Sequence, residues 1–271
     1  AMEHYARGIE IATEVLGAEH PSVLSTRQNR MGLMWRHQLR GEALTEGNEV
    51  LAAQSRVLGP RHPDLVFTLG NLAVMANDTA AYDKAQGFSE RALAIAGDTT
   101  LAASATMVPL LQLATAAGYL GKLDLAFEHG NAALALSERT LGIEHVTTAE
   151  ALNVLGMLHA QRRDIDAARR EYARARKIFA ANGLPIRVAQ TDGALAFVEY
   201  RSANPDLALT LAHAAADRLQ SLDPGGRDLA HALLIAGSIE GTQGRPESAA
   251  LARARVLYEA LGLPLPDLDA P

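Results

Sequence analysis

Nine histidines and several closely spaced acids are the residues of this 271-residue chain whose types suit metal ligation or proton transfer. Their spacing supports neither chemistry. His213 and His231 lie on helices where no carboxylate three or four residues on completes a metal-site pattern; Asp217 follows His213 by four, with no further ligand in the pattern. Asp164 and Asp166 fall in a turn, where capping is the usual duty of such acids, rather than acid–base work. His20, His62 and His145 recur in one loop setting, so they read as parts of a repeated loop. There is no phosphate loop, no Gly-x-Ser-x-Gly and no dinucleotide fingerprint. The residues therefore point to binding, with no cofactor expected. Asn29, Asn71, Gln112 and Asn153 carry amides, which donate and accept at once and can satisfy an extended peptide backbone without reading its side chains. Trp35, Tyr119 and Tyr200 offer aromatic anchors, and Arg36 and Arg201 suit a carboxylate.

Composition narrows the partner. Aromatic residues make up 4% of the chain while alanine and leucine are abundant, which favours close-packed helices over sheets. Twenty-five basic residues face 31 acidic ones, so neither nucleic acid nor an anionic membrane is the expected partner. The basic run from Arg162 to Lys177 alternates with acids and reads as a solvated helix face. Cysteine is absent and no apolar run approaches the ~18 residues of a membrane span. A cytoplasmic protein is the expectation.

The elements that position these residues repeat. Leu16-Gly17-Ala18-Glu19-His20-Pro21 returns 42 residues later as Leu58-Gly59-Pro60-Arg61-His62-Pro63, and Leu141-Gly142-Ile143-Glu144-His145 is a further copy. Ala43, Ala85, Ala126, Ala168, Ala208 and Ala249 form one register of small residues. Met31, Ala73, Ala114, Gly156, Ala196 and Gly237 stand twelve positions earlier, and Val50, Ala92, Ala133, Ala175, Ala215 and Val256 seven positions later. Small side chains at fixed intervals are what two helices need where they touch. Turn residues separate the helices of each pair, among them Asn77-Asp78, Gly121-Lys122 and Gly244-Arg245-Pro246.

The pattern resembles the tetratricopeptide repeat (TPR) in its 42-residue form, that of kinesin light chains and bacterial relatives. Leu69-Gly70-Asn71-Leu72-Ala73 with Tyr82 and Ala85 carries the likeness, as does Leu152-Asn153-Val154-Leu155-Gly156 with Ala168 and Ala175. The family's usual first-helix tyrosine is missing; His159 and Glu199 stand there. The resemblance implies an all-α solenoid, a right-handed superhelix of antiparallel hairpins with about thirteen helices. One domain then spans 1–271. Residues 3–16 form an orphan second helix, hairpins follow at 21–58, 63–98, 101–141, 146–182, 186–222 and 227–262, and 263–271 is a tail whose last six residues, Pro266 to Pro271, are proline-rich and frayed. The orphan helix makes the chain read as a piece of a longer protein.

In the family the first helix of each pair lines the concave face and its asparagines hold ligand backbone. Counting from each small first-helix residue, the inner positions include Asn29, Trp35, Arg36, Phe67, Asn71, Asn77, Val108, Leu111, Gln112 and Tyr119 early in the chain. Later they include Glu150, Asn153, Val154, Met157, Gln190, Phe197, Tyr200, Arg201, Leu234, Ile235, Ser238, Gly241 and Thr242. The early face is amide-rich and the later face apolar. Asparagines on first helices can instead bond neighbouring repeats. The expected role is a non-catalytic scaffold for a protein or peptide ligand, an accessory module of a larger bacterial signalling or regulatory protein. Self-association into a homo-oligomer is the alternative; a helical-repeat enzyme is less favoured.

Overall fold

The computed structural model describes residues 2–37, 39–97, 103–244 and 248–268. Asp98, Leu101 and Ala102 at the edges of two expected hairpins, Arg245 and Pro246 of the last turn, and residues 269–271 of the tail lie outside the described residues. Among the described residues there are thirteen α-helices, one 3-10 turn at Ala103–Thr106 and no strand. They form two compact units, residues 1–140 and 141–271. The first holds α1 (Met2–Leu16), α2 (Pro21–Arg36), α3 (Arg40–Val57), α4 (Leu65–Asp78), α5 (Tyr82–Gly97), α6 (Met107–Tyr119) and α7 (Leu123–Thr140). The second holds α8 (Val146–Gln161), α9 (Ile165–Ala181), α10 (Pro185–Arg201), α11 (Pro205–Leu222), α12 (Arg227–Thr242) and α13 (Ala249–Ala260). Within each unit α2 packs on α3, α4 on α5, and so on, and each pair packs on the next. The fold is an all-α helical repeat, as the registers predict.

The loop that joins one pair to the next has a local cause. Gly17, Gly59 and Gly142 take φ values of 88°, 98° and 100°, the left-handed region that glycine enters without penalty. Three residues on, the histidine N–H donates back to the glycine carbonyl, at 3.2 Å for His20 and 3.3 Å for His62 and His145. The same histidines accept through Nδ1 from the backbone N–H two residues later, at 3.2 Å for Ser22 and Asp64 and 3.1 Å for Thr147. Imidazole here does what an aspartate or serine does at other helix starts, filling an orphan donor. That is why histidine recurs in the loop.

The core follows the small-residue registers. Ala43, Ala85, Ala126, Ala168 and Ala208 are wholly buried, as are Met31, Ala73, Ala114 and Ala196. The glycines mark the closest approaches. A methyl group on Gly156 would meet the Tyr172 ring at 2.9 Å, and one on Gly237 would meet the Leu251 backbone nitrogen at 2.6 Å. Backbone cannot swing aside as a ring can, so overpacking at Gly237 costs toward the upper end of the usual ~1–3 kcal/mol. The last pair departs from the expected register. Ala249 is exposed and Val256 is 64% exposed, while Ala254 and Tyr258 are buried. The buried stripe of α13 thus lies two residues earlier than in the other copies. Leu251 meets Gly237 as Tyr172 meets Gly156, and Ala254 takes the place of Ala175.

Candidate functional site

The sequence places a ligand against the first helices, α2, α4 and α6 in the first unit and α8, α10 and α12 in the second. In the first unit, two of the expected ligand-binding amides are engaged internally. Asn77 is buried, and its Nδ2 donates at 2.9 Å to both the carbonyl and Oε1 of Gln112 on α6. Asn77 is therefore not presented to a ligand. Trp35 Nε1 donates to Asp78 Oδ2 at 2.9 Å, and the Arg40 guanidinium lies 5.6 Å from its ring centre. Tyr119 stacks on Tyr82 with centroids 4.4 Å apart and rings 7° from parallel, yet 47% of it stays exposed. These contacts tie α2 to α4, α4 to α6, and α6 to α5.

Other residues of that face are open. Asn29 and Arg36 are exposed and Asn71 is half-buried, and none makes a side-chain hydrogen bond or ion pair among the described residues. On α4, Phe67 is 51% exposed and lies one helical turn from Asn71; on α6, Val108 is 42% exposed and one turn from Gln112. Gly70 lets α6 come close, since a methyl placed there would sit 3.4 Å from Val108 Cγ1. The result is a strip of exposed apolar side chains beside an unengaged amide. Leu111, read from the sequence as part of this surface, is buried: its position turns into the packing between helices.

In the second unit the polar inner positions are paired between successive first helices. Asn153 Nδ2 donates to Thr191 Oγ1 at 3.1 Å, Arg187 to Glu150 at 2.9 Å, and Gln190 Nε2 to Asp228 Oδ2 at 2.6 Å. Met157 is half-buried against Ala168, Tyr172 and Val198. Phe197 packs on the last core cluster, with the His231 ring 5.7 Å away and the Arg201 guanidinium 5.9 Å from its centre. Leu234 and Ile235, expected on the inner surface, are buried. Leu234 lies beneath residues 265–268, with which it and Tyr200 share one cleft. The tail is thus not frayed at this point: Leu268 is 6% exposed and its carbonyl accepts from Arg201 Nη1 at 3.2 Å.

Two acids inside this unit were invisible as such in the sequence. Glu199 stands where the family's tyrosine is missing and is buried. Arg169 on α9 grips it with both Nε and Nη2, at 2.6 and 2.7 Å. That grip, outweighing burial and aided by Asn204, holds the Glu199 carboxyl below the usual range. Asp192, also buried, accepts from Arg176 at 2.5 Å and from Arg218 on α11. Two arginines of the basic run thus clamp consecutive repeats rather than forming only a solvated face. The signal for this was an acid within an apolar first-helix stripe, with arginines one helix away. His231 has the opposite character. Burial, with Arg227 adding to it, pushes its imidazole down to about 4, so it is neutral at pH 7, 3.3 Å from the Tyr258 hydroxyl.

Residues 28–98 and 105–181, more than half of the chain, match the family described as tetratricopeptide repeat. The chain belongs to the tetratricopeptide repeat family. No curated protein matches it. Among solved structures, this TPR chain is similar to BtubC (BKLC) from P. vanneervenii, over 98% of this chain and 92% of that one, at 20% identity and a TM-score of 0.56. A putative kinesin light chain from Podosopora anserina with nearly identical TPR-like repeats is similar over 67% of this chain and 86% of its own, at 22% identity and a TM-score of 0.54. A Rap protein complexed with competence and sporulation factor gives a TM-score of 0.73 at 14% identity, over 96% of this chain and 74% of that one. At such identities the likeness is one of fold.

Proposed function

We propose that this TPR chain is a non-catalytic scaffold that holds an extended peptide or partner segment on the faces of its first helices. The observation that carries this reading is the strip on α4 and α6, where Phe67 and Val108 are exposed and the Asn71 amide makes no internal hydrogen bond. Amide and apolar groups one helical turn apart suit a peptide whose backbone is held while its side chains pack. Asn29, Arg36 and Tyr119 extend the same reading on α2 and α6. Membership of the family supports it, as does the fold likeness to a Rap protein complexed with a competence and sporulation factor. The setting proposed is a bacterial, cytoplasmic signalling or regulatory protein of which this chain is a module.

Selection of extended peptides from a random library against the whole chain tests this reading. A selected peptide is expected to lose at least tenfold in affinity with Asn71→Ala and with Phe67→Ser, and nothing with Thr210→Ala on the outer helix α11. Unchanged affinity in both α4 variants overturns the assignment. Light scattering across a concentration series separates it from self-association, which would raise the mass without any peptide.

A further inference from the structure

We propose that the first-helix face of α10 and α12 is a site for an extended, proline-containing leucine peptide, and that the chain's own residues 263–268 occupy it in cis. The inference rests on the scaffold reading and locates a second binding face with its own occupant. It starts from how the segment reaches the face. Gly262, at φ 66°, ends α13 in the left-handed region, and the Leu263 N–H closes back on the Tyr258 carbonyl at 3.0 Å. Pro264 and Pro266 then bar a helix and hold the chain extended. Residues 263–267 accordingly adopt no regular secondary structure.

The landing place is specific. Tyr200, Arg201, Leu234, Ser238, Gly241 and Thr242 are inner positions picked out from the repeat register alone. Arg201 bonds the Leu268 carbonyl, and the other five line one cleft with Leu265–Leu268. The segment therefore lies where a ligand of this face would lie. Its anchors are those of a bound peptide: one leucine buried among helix side chains, and one backbone carbonyl held by a guanidinium. The fit is partial. A cleft of about 460 Å³ remains between the segment and α12, and Leu265 is 42% exposed. Gly241 on the cleft wall, where an added methyl group would meet nothing within 4 Å, leaves room for a larger side chain than the segment supplies. A tethered segment has the advantage of high effective concentration, so a partial fit suffices to occupy the site until a better-fitting peptide displaces it.

The test uses the full chain carrying Leu268→Asp, which removes the buried anchor, and a fluorescent, amidated peptide with the sequence of residues 263–268. Fluorescence anisotropy is expected to show binding by the variant and at least tenfold weaker binding by the unaltered chain, whose site is filled. Adding Arg201→Ala to Leu268→Asp should weaken the peptide at least tenfold. Circular dichroism establishes that each variant is folded; if Leu268→Asp unfolds, Leu268→Ala replaces it. A folded variant that fails to bind the peptide, or that binds it no better than the unaltered chain, overturns the proposal and leaves the segment a structural cap on the last repeat. A peptide selected on the α4–α6 strip serves as the control. If it still binds the Leu268→Asp chain, only the cis-ligand inference has failed; if no peptide binds anywhere, the scaffold reading has failed too.

Discussion

The same repeat produces two different inner faces. In residues 1–140 the first helices are also joined by polar contacts, Trp35 to Asp78, Thr68 to Gln28 and Asn77 to Gln112, yet Asn29, Arg36 and Asn71 stay unengaged. In residues 141–268 each successive pair of first helices is laced by polar bonds, Arg187 to Glu150, Asn153 to Thr191 and Gln190 to Asp228. The apolar end of that second face is covered by residues 265–268. Beneath it, Glu199 and Asp192 are buried carboxylates clamped by arginines of neighbouring helices. Two residues before the small first-helix residue the amide is open at Asn71 but engaged at Gln112, whose Oε1 accepts from Asn77; Asn153, one residue earlier in the register, is bonded to Thr191. A repeat position therefore does not carry a fixed role: whether the next first helix offers a partner decides it.

The clamps are the sharpest difference, and removing one should give the largest effect. Arg169→Ala strands the Glu199 carboxylate, whose side chain is 4% exposed, with only neutral donors from Asn204 and Ser202. An uncompensated buried charge costs about 3 kcal/mol. In the first unit Glu46 is shared by Arg27 and Arg30, so Arg27→Ala leaves one guanidinium in place and should cost about 1 kcal/mol. Urea unfolding followed by circular dichroism measures both. Equal losses would mean that the second unit does not depend on its clamps more than the first.

His231 sharpens the comparison through pH. Its folded-state value of about 4 lies below the ordinary value of 6.5, so the unfolded chain takes up the proton first on acidification. Stability is then full above pH 6.5 and falls as pH drops from 6.5 toward 4, by roughly 2 kcal/mol for a group partly reached by solvent. Glu199, held low by Arg169, adds its own loss as pH falls below the ordinary carboxylate value of 4.5 that the unfolded chain keeps. His231→Gln keeps a polar group near Tyr258 and should flatten the slope between pH 6.5 and 4. Denaturation midpoints at pH 7 and pH 4.5 decide it: an unchanged difference between them in the variant removes His231 as the cause.

Much of this was legible in the residues. The loop motif and the small-residue registers locate the helix pairs and most of the buried alanines among the described residues, because helix contact tolerates little variation in size at those points. The register failed only in the last pair, where Ala254 rather than Val256 is buried. It lost its guide there because Val256 is not a small residue and α13 carries alanines at several phases. The site was half legible. Periodicity finds which residues share the inner face, so Phe67, Val108, Tyr200 and Thr242 were recoverable. It does not tell Asn71 from Asn77, since one faces a gap and the other faces Gln112 across a distance no single helix encodes. Pro266, Asp267 and Leu268 read as part of a frayed tail because prolines break helices. Only the position of Arg201 shows that an extended segment has a place to lie.

The smallest effect concerns the turns inside the hairpins, five of which hold a described residue with positive φ. In the first unit these are Ala80 at 57° and Gly121 at 74°; in the second, Arg163 at 62°, Ala203 at 58° and Gly244 at 90°. A residue with a Cβ pays roughly 1 kcal/mol there, through contact of the Cβ with the following carbonyl. Glycine avoids that contact but gives back part of the gain through its greater freedom in the unfolded chain. Ala203→Gly should thus stabilise the chain by about 0.5 kcal/mol, and Arg163→Gly by a similar amount. Gly121→Ala should destabilise it by about as much. Because among the described residues the second unit holds two strained residues and the first Ala80, the double replacement at Arg163 and Ala203 should raise the denaturation midpoint about twice as far as Ala80→Gly. If all three glycine variants lower the midpoint instead, the turns of both units are held by side-chain contacts of these residues, and backbone preference is not what sets the hairpin geometry.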